Sequence, residues 1–334
     1  YLPIGIQDIT EIRLRNCIYV DKTPLVHQLV TTGKYYFFSR PRRFGKSLLI
    51  STLKALYEGK KQVFEDTWIH NNWDFDKTNP IIHISFDAVS YERGNLEQGL
   101  ISMLREHAEK YELLLEKEDL KSIFRELMSK LNTQYGKVVL LIDEYDKPII
   151  DYLETENIDI AKANRAILRE FYSVLKSSDA LLEFVFITGI SKFSKVSLFS
   201  HLNNLDDITL HKKYATLTGY TQEELIQFFP DYLAEIAEEM AISTEKLLET
   251  MRVWYNGYSW DGVHRVYNPF GVLNFLSKKQ FKNFWFSTGS PRFLIEQMRK
   301  HNIYNVENIT VNTRVLDKFD IENIALVPLL FQTG

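Results

Sequence analysis

The residues best able to do chemistry lie in one run, Ser39-Arg40-Pro41-Arg42-Arg43-Phe44-Gly45-Lys46-Ser47. It follows an apolar stretch, Tyr35-Tyr36-Phe37-Phe38, and leads into Leu48-Leu49-Ile50. Strand, tight loop and helix start form a phosphate-binding arrangement, because loop N–H groups and the helix dipole both favour an anion. Lys46 would reach the outer phosphates and the Ser47 hydroxyl would ligate Mg²⁺. Arg42, Arg43, Phe44, Gly45 and Leu48 complete the expected nucleotide-binding loop. The full pattern asks for glycine five residues before Gly45, and Arg40 stands there. A Gly-Lys-Ser triplet alone also fits a basic turn before a helix, so a second site must decide.

That second site is Lys137-Val138-Val139-Leu140-Leu141-Ile142-Asp143-Glu144, an apolar run closed by two acids. It reads as a strand buried on both faces in a parallel sheet. Open α/β sheets bind ligands at the carboxyl ends of their strands. Asp143 would hold Mg²⁺, directly or through water, and Glu144 would be the base that polarises an attacking water. Taken alone, the pair also fits an ordinary acidic strand end. A third run, Leu182-Glu183-Phe184-Val185-Phe186-Ile187-Thr188-Gly189, ends in Thr188, which could orient water or sense hydrolysis beside a γ-phosphate.

Those motifs need a scaffold, and the composition supplies one. The chain has 334 residues, 45% hydrophobic and 25% charged, enough for a sizeable core in two domains or in one with an appendage. The net charge of −4 does not resemble a basic nucleic-acid-binding domain, although 40–43 is a local basic patch. The single cysteine, Cys17, excludes an internal disulfide and a cysteine-rich zinc site. The eight histidines show no paired spacing, so no zinc site is assigned. No apolar run reaches 18 residues and no signal peptide is evident, so the expectation is a cytoplasmic protein with no membrane contact.

Strands are expected at about 35–39, 81–86, 138–143 and 182–189, with a last short one at Tyr214-Ala215-Thr216-Leu217. Helices are expected near 94–116, 118–134 and 159–177. Strands alternating with helices imply a parallel α/β sheet. From Thr221-Gln222-Glu223-Glu224, a capping-box start, the pattern turns helical, at 221–229, 231–240, 243–255, 269–278 and 291–300. The expected domains are therefore a core over 1–218 and a mostly helical region over 219–334.

Six motifs in one order resemble the AAA-ATPase-like proteins of bacteria. They are Leu2-Pro3-Ile4-Gly5, Tyr19-Val20-Asp21-Lys22-Thr23, the 40–47 loop, Ile142-Asp143-Glu144-Tyr145-Asp146-Lys147-Pro148, Thr188-Gly189-Ile190-Ser191-Lys192-Phe193 and Tyr255-Asn256-Gly257-Tyr258. The resemblance runs over nearly the whole chain. It implies a P-loop NTPase core of the additional-strand type, with sheet order 5-1-4-3-2 and Glu144 as catalytic base. It also implies that arginine is usual at the Arg40 position. Thr288-Gly289-Ser290-Pro291-Arg292-Phe293-Leu294 is similar to the start of a winged-helix domain in archaeal-type signalling ATPases. Many members of the AAA-ATPase-like family continue into a PD-(D/E)xK nuclease-like domain, and that part is expected to be absent or cut away here.

The expected function is an ATPase or nucleotide switch that takes ATP and Mg²⁺, with Lys46, Glu144 and Thr188 as its catalytic residues. The rivals are a non-hydrolysing scaffold locked by nucleotide, a small-molecule kinase, and the regulatory half of a nuclease or defence system with a nucleic-acid or protein partner. Arg42 and Arg43 could touch phosphate like built-in arginine fingers, or pair with surface acids. Lys192 and Lys195 could face the γ-phosphate, or be solvated loop charges. Asp146 and Lys147 are expected to fix the loop after the strand. Arg40 is expected at negative φ, since arginine is poor in the left-handed region. The apolar stretch Leu326-Val327-Pro328-Leu329-Leu330-Phe331 is expected to pack against 290–320 and to mark where a further domain docks.

Overall fold

The computed structural model describes residues 1–284, except 92–93, 154–156, 191, 193–197 and 200–201. The expected helix at 291–300, the winged-helix-like region and the 326–331 stretch lie outside the described residues. The chain divides into two compact units, each built from non-contiguous stretches.

One unit takes Gly33–Pro41 and Thr78–Asp206 and carries the sheet. Strands β1 (Tyr35–Ser39), β2 (Ile81–Ser85), β3 (Val138–Asp143) and β4 (Leu182–Gly189) pair in parallel. A two-residue edge strand, β5 (Asp206–Asp207), completes the order β2-β3-β4-β1-β5. Read from β5, that is the order 5-1-4-3-2. All residues of β1 and β3 are buried, as expected of strands covered on both faces. The register aligns Phe38 with Thr188, Ser39 with Gly189 and Ser85 with Asp143. The carboxyl ends of four strands therefore form one edge of the sheet.

Helices α4 (Leu96–Lys110), α5 (Leu120–Tyr135), α6 (Lys147–Ile150) and α7 (Ile158–Ser177) belong to this unit. Their apolar stripes meet the sheet in one core that includes Phe37, Ile84, Leu104, Phe124, Ile142 and Phe171. Phe124 of α5 stacks on Phe171 of α7, with ring centroids 4.4 Å apart. Asp119 starts α5 by accepting the Ser122 N–H at 3.0 Å.

The other unit takes Tyr1–Thr32, Arg42–Lys77 and the described residues from Asp207 onward. Its early helices are α1 (Ile9–Leu14), α2 (Thr23–Thr32) and α3 (Lys46–Tyr57). The later ones are α8 (Gln222–Phe228), α9 (Pro230–Glu239), α10 (Thr244–Tyr255) and α11 (Pro269–Lys278). A hairpin of β6 (Tyr258–Ser259) and β7 (Arg265–Val266) follows Asn256-Gly257. Leu225, Phe229, Ile236, Met251, Tyr267 and Phe275 form the core of these later helices. The capping box forms as the sequence suggests: Thr221 Oγ1 accepts the Glu224 N–H at 3.2 Å, and Glu224 accepts the Thr221 N–H at 2.8 Å.

One expected strand is corrected. Tyr214-Ala215-Thr216-Leu217 is not extended: Lys212–Tyr214 form a 3₁₀ turn. Its apolar side chains are buried in a turn rather than a sheet, so apolar content alone misled the assignment.

Candidate functional site

The loop from β1 to α3 is shaped by two left-handed residues and a buried arginine. Arg40 occupies the place of the missing glycine and is 1% exposed. Its N–H donates to Gly189 O at 3.2 Å, extending the β1–β4 ladder by one residue. Its guanidinium lies 4.2 Å from the Phe38 ring centroid and donates through Nη1 to Ser39 O at 2.9 Å. Arg40 stays out of the left-handed region, whereas Arg43, at φ 68°, and Gly45, at φ 81°, both enter it. The turn that a glycine would make early in the loop is made late instead.

Phe44 sits between those two residues and is fully buried. It packs edge-on against Tyr258 at 4.6 Å and Trp260 at 5.7 Å, so the β6–β7 hairpin holds the middle of the loop. Only the backbone of Phe44 is left to meet a ligand. Arg42 and Arg43 are exposed, and the Arg43 guanidinium lies 5.0 Å from the Phe270 ring.

Gly45 is the N-cap of α3 and offers no side-chain acceptor, and the first turn of α3 holds no acid. A β-carbon at Gly45 would meet nothing within 4 Å, so φ and not crowding demands glycine. Lys46, 6% exposed, is the first residue of the helix, and Ser47 and Leu48 follow in its first turn. Uncapped N–H groups, a positive dipole end and one lysine converge where an anion would bind.

In the sheet unit, Asp143 ends β3 and is 4% exposed. Glu144 adopts φ 56°, a left-handed conformation that costs a side-chain-bearing residue energy and concentrates at functional sites. The turn is then pinned from both sides. The Tyr145 N–H donates to Thr188 O at 3.1 Å, and the Tyr145 ring packs on Phe37 and Phe199. Asp146 is fully buried and accepts the Ile190 N–H. Lys147 pairs with Asp87. Thr188 is fully buried, and its Oγ1 has no hydrogen-bond partner among the described residues. Such an unmet buried hydroxyl needs an explanation, and a ligand or water is the ordinary one. Lys192 is 8% exposed, and Lys195 lies outside the described residues.

Within the sheet unit, the structure therefore gathers Ser39, Asp143, Glu144 and Thr188 at one edge. Within the other unit, it sets Lys46 and Ser47 on an uncapped helix start. The sequence reading missed the left-handed Arg43 and Glu144 and the aromatic anchor of Phe44. Only the Tyr258–Trp260 aromatic pair could have hinted at the last.

The family model described as "Predicted AAA-ATPase" matches residues 3–199. An Azotobacter chroococcum mcd 1 protein, described as an uncharacterized protein in the vnfD 5′ region, is 38% identical over 338 residues. That match covers all of this chain and 63% of the relative, so the chain spans less than two thirds of the relative's length. Among solved structures, a Walker-type ATPase of Pyrococcus abyssi is 14% identical with a TM-score of 0.46, covering 84% of this chain and 75% of that one.

Proposed function

Because the chain belongs to the predicted AAA-ATPase family, we propose that it binds MgATP and hydrolyses it to ADP and phosphate. The observation that carries this reading is the start of α3. A glycine at φ 81° delivers the chain into a helix whose first residue is lysine and whose N–H groups have no capping side chain. The 42–48 backbone cradles the phosphates and Lys46 neutralises charge on the outer ones.

Asp143 and Ser47 offer hard oxygen donors, the chemistry that Mg²⁺ takes. Held by those residues, the ion would supply charge neutralisation on the phosphates. Glu144 accepts a proton from the water that attacks the γ-phosphorus, while the bond to the β–γ bridging oxygen breaks. Its turn is held by Tyr145 and Asp146, which supports a fixed carboxylate rather than a mobile one. Thr188, with its unmet hydroxyl, orients that water.

A phosphate-release assay on purified protein tests the reading. The expected result is Mg²⁺-dependent release that falls about a hundredfold or more in Glu144→Gln, with ATP binding retained in calorimetry. Binding without release in the parent protein would favour a nucleotide-locked scaffold instead.

A further inference from the structure

Helices α5 and α7 carry seven cations against three acids, in a chain whose net charge is −4. Two of those acids are already engaged. Glu126 pairs with Lys130 and accepts the Glu116 and Lys117 N–H groups. Glu170 pairs with Lys121 at 2.9 Å. Asp179, just past α7, is held by Lys34 and Tyr35. The chain's overall charge hides this local positive surplus.

The cations stand in rows. Lys162, Arg165, Arg169 and Lys176 recur along α7 so that, at roughly 100° per residue, they fall within about 60° of one another. Ala161, Asn164, Leu168, Phe171 and Leu175 mark the buried side of the same helix, so the row stands on an outer shoulder. Arg169 and Lys176 are exposed, and Lys162 and Arg165 are half-buried. Lys121 and Arg125 of α5 line the other shoulder. Lys121 reaches Glu170, and Arg125 Nη2 donates to Ser177 Oγ at 3.4 Å. Between the two rows α7 presents the small residues Ala166 and Ser173.

The shortage of exposed apolar groups decides what such a face can take. Among the described residues of these two helices, Tyr135 is the one large apolar side chain that is exposed. It closes α5 against Tyr111, with ring centroids 5.3 Å apart. Protein interfaces rest on aromatic or apolar anchors, and helices that lie on membranes bury an apolar face. Single strands stack their bases on aromatic rings. A duplex needs none of these, because its phosphates accept directly from arginine and lysine. The α7 row rises about 21 Å from Lys162 to Lys176, at about 1.5 Å per residue. One strand of a duplex sets out about six phosphates over that length.

We propose that the outer face of α5 and α7 binds the phosphate backbone of a nucleic-acid duplex. Phosphate contacts carry no sequence information, so the binding is indifferent to sequence. The proposal is independent of the nucleotide reading of the β1–α3 loop.

The test is fluorescence anisotropy with a labelled DNA duplex of about 20 base pairs and a single strand of the same length, beside co-sedimentation with phosphatidylserine vesicles. The proteins are the parent, Arg169→Glu/Lys176→Glu, and Lys212→Glu/Lys213→Glu. The last reverses two exposed lysines of the other unit and changes the net charge equally. The expected result is duplex binding that weakens roughly a hundredfold between about 50 and about 200 mM salt, as about four phosphate contacts require. Arg169→Glu/Lys176→Glu should lose about tenfold or more in affinity and flatten the salt slope by about two. Lys212→Glu/Lys213→Glu should stay close to the parent. Acetylation footprinting of the parent, read by mass spectrometry, should show Lys121 and Lys176 protected by the duplex and Lys212 unprotected.

Absence of duplex binding at low salt, with or without vesicle binding, would overturn the proposal. So would tighter binding of the single strand, or equal losses in the two variants. If Arg169→Glu/Lys176→Glu does not fold, the footprint decides: protection of Lys121 and Lys176 upholds the face, and its absence overturns it.

Discussion

Both carboxylate oxygens of Asp146 accept the Ile190 N–H, at 3.3 and 3.2 Å, in a site closed to solvent. This joins the turn after β3 to the residue after β4, and so fixes Glu144 relative to Thr188. The joint leaves no slack. A β-carbon on Gly189 would lie 2.5 Å from Asp146 Oδ1 and 2.5 Å from the Tyr145 ring. Asp146→Ala strands a buried N–H and should cost about 1–3 kcal/mol in denaturant unfolding. Gly189→Ala must push that ring aside and should cost a similar amount, about 1–3 kcal/mol. Asp146→Asn keeps one acceptor oxygen and should lose less. Equal stability of Asp146→Ala and the parent would show that the joint contributes nothing.

The backbone at Glu144 gives a second test. A left-handed residue with a side chain is strained by about 1–2 kcal/mol, and glycine is free of that strain. Glycine also gains freedom in the unfolded chain, which removes roughly 0.5–1 kcal/mol of the benefit. Glu144→Gly should therefore unfold at a higher temperature than Glu144→Ala, while both lose turnover. The reverse order would mean that φ 56° is not held in solution.

Lys46→Ala should weaken MgATP binding at least tenfold, about 1.4 kcal/mol. The lysine is the single cation in the first turn of α3, and that turn contains no acid of its own. Calorimetric affinity equal to the parent's would remove the loop from the binding site.

Much of this scaffold is legible in the sequence, and the limits have physical causes. Strands β1 and β3 are continuous apolar runs ending in polar residues, and β4 departs from that pattern only at Glu183 before its Thr188-Gly189 end. The Thr221–Glu224 box and the helix starting at Pro269 are likewise local signals. Strand β5 is not, because Asp206 and Asp207 carry no strand preference and gain their place only by pairing. At the site, Gly45, Lys46 and Asp143 stand out by type and spacing. The left-handed Arg43 and Glu144 do not, since sequence marks such backbone only when glycine or asparagine occupies it. The burial of Arg40 was equally hidden: only the fold shows its guanidinium lying on Phe38.

Acid should loosen the approach to α5 before it reaches the sheet. Glu126 is held down at about 2 by its hydrogen bond to Lys130 and by the Lys117 and Glu116 N–H groups, against an opposing effect of burial. Its folded value lies below the ordinary 4.5. The stabilisation is therefore complete above 4.5 and is lost as the pH falls from there toward about 2. Amide protection factors at Glu116 and Lys117, corrected for the intrinsic pH dependence of exchange, should fall over that window in the parent and be flat in Glu126→Gln. A flat parent profile would show that these bonds do not hold the segment.

The last prediction concerns Lys22 and Glu224, which lie far apart in sequence. The Lys22 ammonium contacts both Glu224 oxygens at 2.6 Å, and the two side chains are 11% and 19% exposed. Glu224 is also the N3 residue of the capping box that starts α8. Lys22→Met removes the cation and leaves a mostly buried carboxylate, a change that costs about 3–5 kcal/mol in fully buried pairs. The loss should fall toward the low end, because the Thr221 N–H still reaches that carboxylate. Glutamine also serves at N3 of a capping box. The double variant Lys22→Met/Glu224→Gln should therefore recover most of the loss, being neutral where the single variant is charged. Urea unfolding of the two single variants and the double variant measures the coupling. A double variant no better than Lys22→Met alone would mean that lysine packing, and not charge pairing, holds residues 17–22 against α8.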